Sequence, residues 1–450
     1  MMKYLLLITL LLLNSMVFAQ TYVSPGPGTL SMAVADAIDG DVLELVAGGE
    51  YTESVAFNFG VITDKAITIK VEGDIPEEKA KLRVITPADG TTTRMFFRVG
   101  QGGSLALHDI EFDGTTETVE KAEYLIQFYM GDGGAVTVNT IRVENCWVHD
   151  LVDAAIHAGS SDMKGNLIVD STFVDNCVFE RTGTSVYYKY CGANFLSVTN
   201  STFNTISSYG IRVAGPNESA MPDNTPRTII DHTTWYNIGT EDGREIILLE
   251  KGPNLNPWTV SNTICVKQIN KDKVAINLKE TITDDLAEIY NVCLWDVGTI
   301  NWRNHPVQDT IYVDPGFADP DNGDFTLPSG SPLLSFGSDG GPIGDPRWGM
   351  NASSVTKAGK SSPITFALDQ NYPNPFNPAT SIAFRMETNG HANLTVFDFL
   401  GREIATLVNG NVSAGVHKVT FDASTLPSGI YLYRLKVEGQ TLTRKMTLLQ

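Results

Sequence analysis

The chain has 450 residues, with 52 acidic against 32 basic side chains, a net charge of −20 and 42% hydrophobic residues. That is enough apolar material for one large core and a second, smaller domain. The charge excludes bulk attraction to nucleic acid or to anionic membranes, so an anionic ligand would have to bind at a local basic patch.

The first element has the character of a leader. Residues Met1 to Gln20 carry one basic residue, Lys3, then the apolar run Tyr4 to Leu13, and reach Val17-Phe18-Ala19 near the end. The run is too short to span a bilayer, which predicts a signal peptide over 1–19 cut after Ala19. No later segment is apolar for long enough to cross, so the mature chain is expected to have no transmembrane segment. Leu30 to Ile38 then places small and apolar residues at helical spacing, which predicts a short amphipathic helix. Asp39-Gly40-Asp41-Val42-Leu43-Glu44-Leu45 and Gly48-Gly49-Glu50-Tyr51 follow it.

From Leu107 one short pattern recurs: apolar, variable, Asn or a substitute, small, variable, apolar. Its third residue is Asp109, Asn145, Asn176, Asn200, His232, Asn262 and Asn291, with steps of 36, 31, 24, 32, 30 and 29 residues. A strand-rich unit at this period means a solenoid, propeller or array. The copies alternate with period two and are β-branched and aromatic, and no long helical periodicity separates them. Together these predict an all-β fold, a parallel β-helix, in which the Asn residues stack at one turn and hydrogen-bond along it. The small residue after each Asn then points inward. Cys146 and Cys177 are accordingly expected as buried thiols, and the five cysteines show no CxxC pair or zinc-like spacing.

The amino end resembles the opening of pectate-lyase-like β-helix proteins, which implies a right-handed β-helix whose first coil is capped by the helix at Leu30 to Ile38. Asp314-Pro315-Gly316-Phe317, Asp324-Phe325-Thr326-Leu327 and Gly330-Ser331-Pro332 resemble the last coil of that superfamily, and Gly344-Asp345-Pro346-Arg347-Trp348 its terminal cap. The β-helix is therefore expected over 20–350. Residues 351–362 are polar and small, and read as a linker.

Beyond it, Asn371-Tyr372-Pro373-Asn374-Pro375-Phe376-Asn377-Pro378 precedes short strands with turn signals about every ten residues, which predicts a small antiparallel β-sandwich over 363–450. This segment closely resembles the C-terminal sorting domain of the Por, or type IX, secretion system. The resemblance implies export across the outer membrane of a Gram-negative cell, with the type IX machinery as a partner. The protein would then be released or attached to the cell surface.

Functional side-chain types recur at a fixed offset from the Asn. His157, Lys189 and Arg212 lie about twelve residues past it in three consecutive coils, each beside apolar neighbours, and so predict an outward basic column on an acidic protein. Such a column suits a polyuronate. Abstraction of a proton next to a carboxylate needs that charge neutralised and a base nearby. Lysine beside cations, partly desolvated by Tyr187 and Tyr190, suits the base, and arginine suits the carboxylate or enolate.

The stretch from Glu180 to Gly215 also resembles the chondroitinase B and alginate lyase branch of β-helix polysaccharide lyases. That resemblance implies Lys189 and Arg212 as the catalytic pair; His157, Tyr187 and Tyr190, in or beside the basic column, are expected to contact substrate. Two departures stand out. The branch has acidic calcium ligands where this chain has Thr182 and Thr184, and a His where it has Val213. No metal ligand is assigned and no cofactor is expected. Calcium stays open through Asp150, Asp153, Asp162 and Glu180, which read first as solvated loop acids. Two functions remain: a lyase cleaving an anionic, uronic-acid-containing polysaccharide by β-elimination, and a non-catalytic glycan-binding or adhesin-like β-helix. Asp284-Asp285 lacks the context of a polygalacturonase site, and no nucleotide-binding, zinc or Ser-His-Asp signature stands out.

Overall fold

The structure is a computed structural model. It describes residues 20–53, 59–73, 76, 78–85, 95–115, 121–128, 135–158, 167–189, 191–214, 227–250, 258–278, 287–301, 307–338, 340–349, 367–368, 371, 376, 378–386, 390–398, 402–412, 415–437 and 440–448. The signal peptide expected over 1–19 lies outside these residues. Among them no helix is long and apolar enough to cross a membrane. The chain divides into two compact units, Met1–Ser353 and Ser354–Gln450.

The first unit is a right-handed parallel β-helix. One helix, α1 (Thr29–Asp36), sits at its start with Leu30 and Val34 fully buried. It packs beside the first coil, where an unprotected edge would otherwise invite pairing. Every strand pair beyond it is parallel. Seventeen strands form one sheet, and nine form a second in the order of the coils.

The larger sheet bends at the repeated Asn. Asp109, Asn145, Asn176, Asn200, His232, Asn262 and Asn291 all have positive φ, from 46° to 63°. Asn and Asp tolerate this left-handed conformation, and it turns the chain sharply between two strand segments. The segments on either side stay in register from coil to coil, so these bends stack. Asn176 Nδ2 donates to Asn145 Oδ1 at 3.2 Å, while Asn200 and Asn262 donate instead to Asp175 and Asp231, both at 2.8 Å. A second column of left-handed bends, Asp150, Arg181, Thr205, Asn237, Lys267 and Asp296, closes the other end of the same segments.

Inside, like stacks on like. Phe179 lies 5.1 Å from Phe203, which lies 3.9 Å from Trp235, with the rings nearly parallel. Cys146 and Cys177 are buried as free thiols, and burial holds the Cys177 thiol well above its ordinary pKa. They are packing residues.

The expected terminal cap, Gly344 to Trp348, is placed differently. The segment after Tyr312 does not close the end of the helix but runs back along its side. Asn291 Nδ2 donates to Phe336 O at 2.5 Å, Gly344 N to Asn262 O at 2.7 Å, and Asp345 N to Thr234 Oγ1 at 2.9 Å. Trp348 Nε1 reaches Thr202 Oγ1 at 2.7 Å, and Arg347 reaches Asn176 Oδ1 at 3.0 Å. The physical reason is apolar cover. Tyr236, Ile264, Val266 and Cys293 project outward from the late coils, and Phe325, Leu327, Ile343 and Trp348 bury them. Gly344 is required there, because a Cβ would come within 2.7 Å of Ile264 Cδ1 and φ is +81°.

The second unit is an antiparallel β-sandwich. One sheet orders Ala367–Leu368, Ala379–Met386 and Gly415–Asp422; the other orders Glu403–Val412, Gly390–Asp398, Gly429–Val437 and Gln440–Leu448. Ile382, Phe384, Leu394, Val396, Tyr433 and Met446 form its core.

Candidate functional site

The candidate residues lie on the outer face of the nine-stranded sheet. Strands Tyr124–Phe128, Ala154–Ala158, Thr184–Lys189, Ile211–Ala214 and Ile247–Glu250 are consecutive neighbours there. Ile156, Tyr188, Ile211 and Val213 point into the core, so His157, Tyr187, Lys189 and Arg212 alternate outward.

The register differs from the expected column. His157 pairs with Tyr187, and Tyr187 with Arg212, whereas Lys189 pairs with Ala214. Tyr187, not Lys189, therefore stands between His157 and Arg212. The chain from the second left-handed bend to the strand is one residue shorter in the Arg181 coil than in the coils on either side, which shifts the row. Lys189 remains on the same face, two positions further along the strand. Tyr190 lies outside the described residues.

The row forms a ladder of rings and guanidinium groups. Tyr124 and His157 stack at 4.6 Å, and His157 and Tyr187 at 5.4 Å. The Arg212 guanidinium carbon lies 5.5 Å from the Tyr187 ring and 5.0 Å from the Tyr209 ring, and that of Arg244 is 5.5 Å from Tyr209. Arg212 Nη1 also donates to the Tyr187 hydroxyl at 3.5 Å. Such cation–ring contacts are attractive and fix the orientation of the cation. Burial lowers the His157 pKa, with Asp153 opposing, and its Nδ1 is buried without a hydrogen-bond partner. His157 is thus a neutral spacer in the ladder at neutral pH, and the cations on or beside this face among the described residues are Lys189, Arg212, Arg98 in the same row beyond Gln127, and Arg244, which pairs with Asp242 at 3.0 Å.

The acids considered as calcium ligands are engaged otherwise. Asp150 takes Lys121 at 2.8 Å, Arg181 at 2.8 Å and His149 at 2.9 Å. Burial pushes its carboxyl up, but hydrogen bonds from His149, Arg181 and Lys121 outweigh this and hold it well below the carboxylate range. Asp153 accepts from the Tyr124 hydroxyl at 2.9 Å, and Glu180 pairs with Arg181. Asp162 lies outside the described residues. Thr182 and Thr184, which stand where acids would be needed, are buried.

Sequence reasoning missed a second cluster, on the larger sheet. Glu111, Asp113 and His149 bring three potential ligand atoms within 4.8 Å of one another. Lys81 Nζ already sits between the two carboxylates, 2.9 Å from Glu111 and 2.8 Å from Asp113, and His149 bonds Glu111 and Asp150. An ammonium ion thus holds the place a metal would take. Glu111 and Asp113 stand two apart on one strand, but Lys81 and His149 come from the neighbouring coils on either side, so no local motif announced the cluster.

The comparisons with known proteins bear first on the second unit. Residues 370–448 match the model of the secretion system C-terminal sorting domain. The chain carries a type IX sorting domain. This exported chain is delivered to the cell surface or the extracellular space of a Gram-negative cell. Residues 228–348, the late coils and the segment strapped along them, match a domain of unknown function, DUF5123. Among solved structures, the PL6 family alginate lyase AlyGC shows 16% identity and a TM-score of 0.44, over 65% of this chain and 39% of that one. An arginine-to-alanine mutant of the same enzyme gives the same identity and TM-score over 37% of its length. The exported chain thus spans well under two thirds of either. No curated protein matches it.

Proposed function

We propose that this exported β-helix acts on an anionic, uronic-acid-containing polysaccharide, with Lys189 and Arg212 as the reacting pair of a β-elimination. The observation that carries the reading is their placement. They project from adjacent strands of one sheet face, two register positions apart, with the Arg212 guanidinium set against Tyr187 and Tyr209. In this role Arg212 pairs with the substrate carboxylate and stabilises the enolate as charge develops. Lys189 takes the proton on the carbon next to that carboxylate. The C–H electron pair then forms a carbon–carbon double bond as the bond to the leaving glycosidic oxygen breaks, and that oxygen acquires a proton. No metal enters this reading, because arginine alone can hold a carboxylate bidentately.

The second reading is non-catalytic glycan binding. It is favoured by the ladder itself, because both faces of the Tyr187 ring are taken by His157 and Arg212, which builds a rigid charged surface. One experiment separates the two. The protein is incubated with alginate, pectate, chondroitin and dermatan, and absorbance from unsaturated ends is followed. Product from at least one polymer, abolished in a folded Lys189→Ala variant, supports the lyase. Retained affinity with no unsaturated product from any polymer supports the binder.

A further inference from the structure

The sorting sandwich has four edge strands, and they are not protected alike. An edge strand presents unpaired backbone groups to any passing strand, and proteins blunt this with short length, charge, proline or cover. Ala367–Leu368 is two residues long. Gly415–Asp422 carries His417 and Lys418. Gln440–Leu448 exposes Arg444 and Lys445, and Phe376 N donates to Thr447 O at 2.9 Å over its end, while Arg444 Nε bonds Leu368 O at 3.2 Å.

Among the described residues Glu403–Val412 has none of these guards. It is ten residues long, contains no proline, and carries one charged residue, Glu403, at its first position. Among the described residues its strand partner is Gly390–Asp398 on one side. Two register irregularities twist the first half of the edge, which blunts it there, while the register is regular over residues 408–412 and no strand of the described residues pairs with its outer side. Ile404, Thr406, Asn409 and Asn411 are exposed, and Leu407 and Val408 anchor the strand on the sandwich core. At ~3.4 Å per residue the edge runs roughly 34 Å, with about half of its N–H and C=O groups facing out.

We propose that Glu403–Val412 is the docking edge of the sorting domain, and that its occupant is an extended strand of the export apparatus added to the four-stranded sheet. The role of this domain is to be recognised by that apparatus, and a sorting tail is read independently of the cargo joined to it. Main-chain pairing supplies such a contact, because affinity comes from backbone hydrogen bonds and tolerates side-chain change. The near-neutral edge fits this mode, since it offers no charge pattern for a side-chain-specific partner.

The test uses the full chain in a Gram-negative host that has a type IX apparatus. A photo-crosslinking residue is placed at Thr406, and in a second variant at Thr443 on the guarded opposite edge. Crosslinks to an apparatus component, roughly tenfold stronger from position 406, are expected from strand addition. Equal crosslinking from both edges, or crosslinking mainly to a second copy of the chain, would overturn the proposal. Asn409→Pro and Gly410→Pro form a companion pair, because the register is regular over residues 408–412 and successive N–H groups there point to opposite sides of the strand. The member that keeps the wild-type urea midpoint should lose surface display roughly tenfold, and normal display of that variant would also overturn it.

Discussion

Replacing Asn262 tests why Asn recurs at the bend. Asn262 is buried with φ 46°. Its amide donates to Asp231 at 2.8 Å and to Ser338 Oγ at 3.1 Å, and its carbonyl accepts from Ser338 N at 2.9 Å. Asn262→Ala removes three hydrogen bonds, worth about 1 kcal/mol each. It also forces a Cβ-bearing residue without a compensating side chain into the left-handed region, at about 1–2 kcal/mol. The expected loss is therefore about 4–5 kcal/mol. Asn262→Gly loses the same bonds but avoids the steric term, adding only about 0.5–1 kcal/mol of chain entropy. Glycine should thus be the milder change by about 1 kcal/mol, a factor of roughly five in the folding equilibrium. Urea unfolding followed by the fluorescence of Trp235 and Trp258, buried in this coil and its neighbour, measures both variants. An alanine variant as stable as the glycine one would refute the left-handed bend as the reason for Asn.

Three further outcomes follow from the geometry. If the sheet face is a lyase site, Tyr209→Ala should remove one of the ring contacts that orient Arg212 and lower kcat/KM by roughly tenfold for a contact of about 1–2 kcal/mol, while Tyr209→Phe keeps most of it. Activity should survive a chelator and weaken with rising salt, since exposed charges are screened over about 8–10 Å at ordinary ionic strength; loss in chelator with rescue by calcium would contradict this. His149 should make stability depend on pH. Burial pushes its pKa down, but the hydrogen bonds it donates to Asp150 and Glu111 and the charge of Asp113 raise it above the ordinary value. Its contribution is complete below about pH 6.5 and fades as pH rises through the raised folded value. Wild type should therefore lose its advantage over His149→Gln above neutral pH, and a difference that does not change between pH 6 and 9, roughly the span that brackets a raised histidine, would count against the network.

The Asn repeat was legible because a left-handed bend restricts residue type, and seven copies in register repeat that restriction. The second column of bends was not, since Asp150, Arg181, Thr205, Asn237, Lys267 and Asp296 share no chemistry and are held there by the strands on both sides. Lys189, Arg212 and His157 were correctly set on an outward face by their apolar neighbours. Their order within the row was missed because one coil drops a residue, and period-two alternation cannot detect a shift that keeps the same face. The course of the segment ending in Trp348 depends on which outward apolar residues lack cover. That is a property of neighbouring coils rather than of the Gly344 to Trp348 motif.

The same strap bears on where a polymer can lie. The late part of the larger sheet is occupied by Phe325, Leu327, Ile343 and Trp348, and its early part by the Lys81, Glu111, Asp113 and His149 network. The face of the nine-stranded sheet carries the cations of the ladder instead. Along it the rings of Tyr124, His157 and Tyr187 stack on one another, and the Tyr124 and Tyr187 hydroxyls are bonded to Asp153 and Arg212. A sugar meeting this surface finds guanidinium, ammonium and phenol groups rather than open aromatic platforms. If the proposed reading holds, affinity there would come mainly from charge and hydrogen bonding, which would select carboxylate-bearing polymers over neutral ones. On a protein of net charge −20, such selection would have to act at short range, through Lys189 and Arg212.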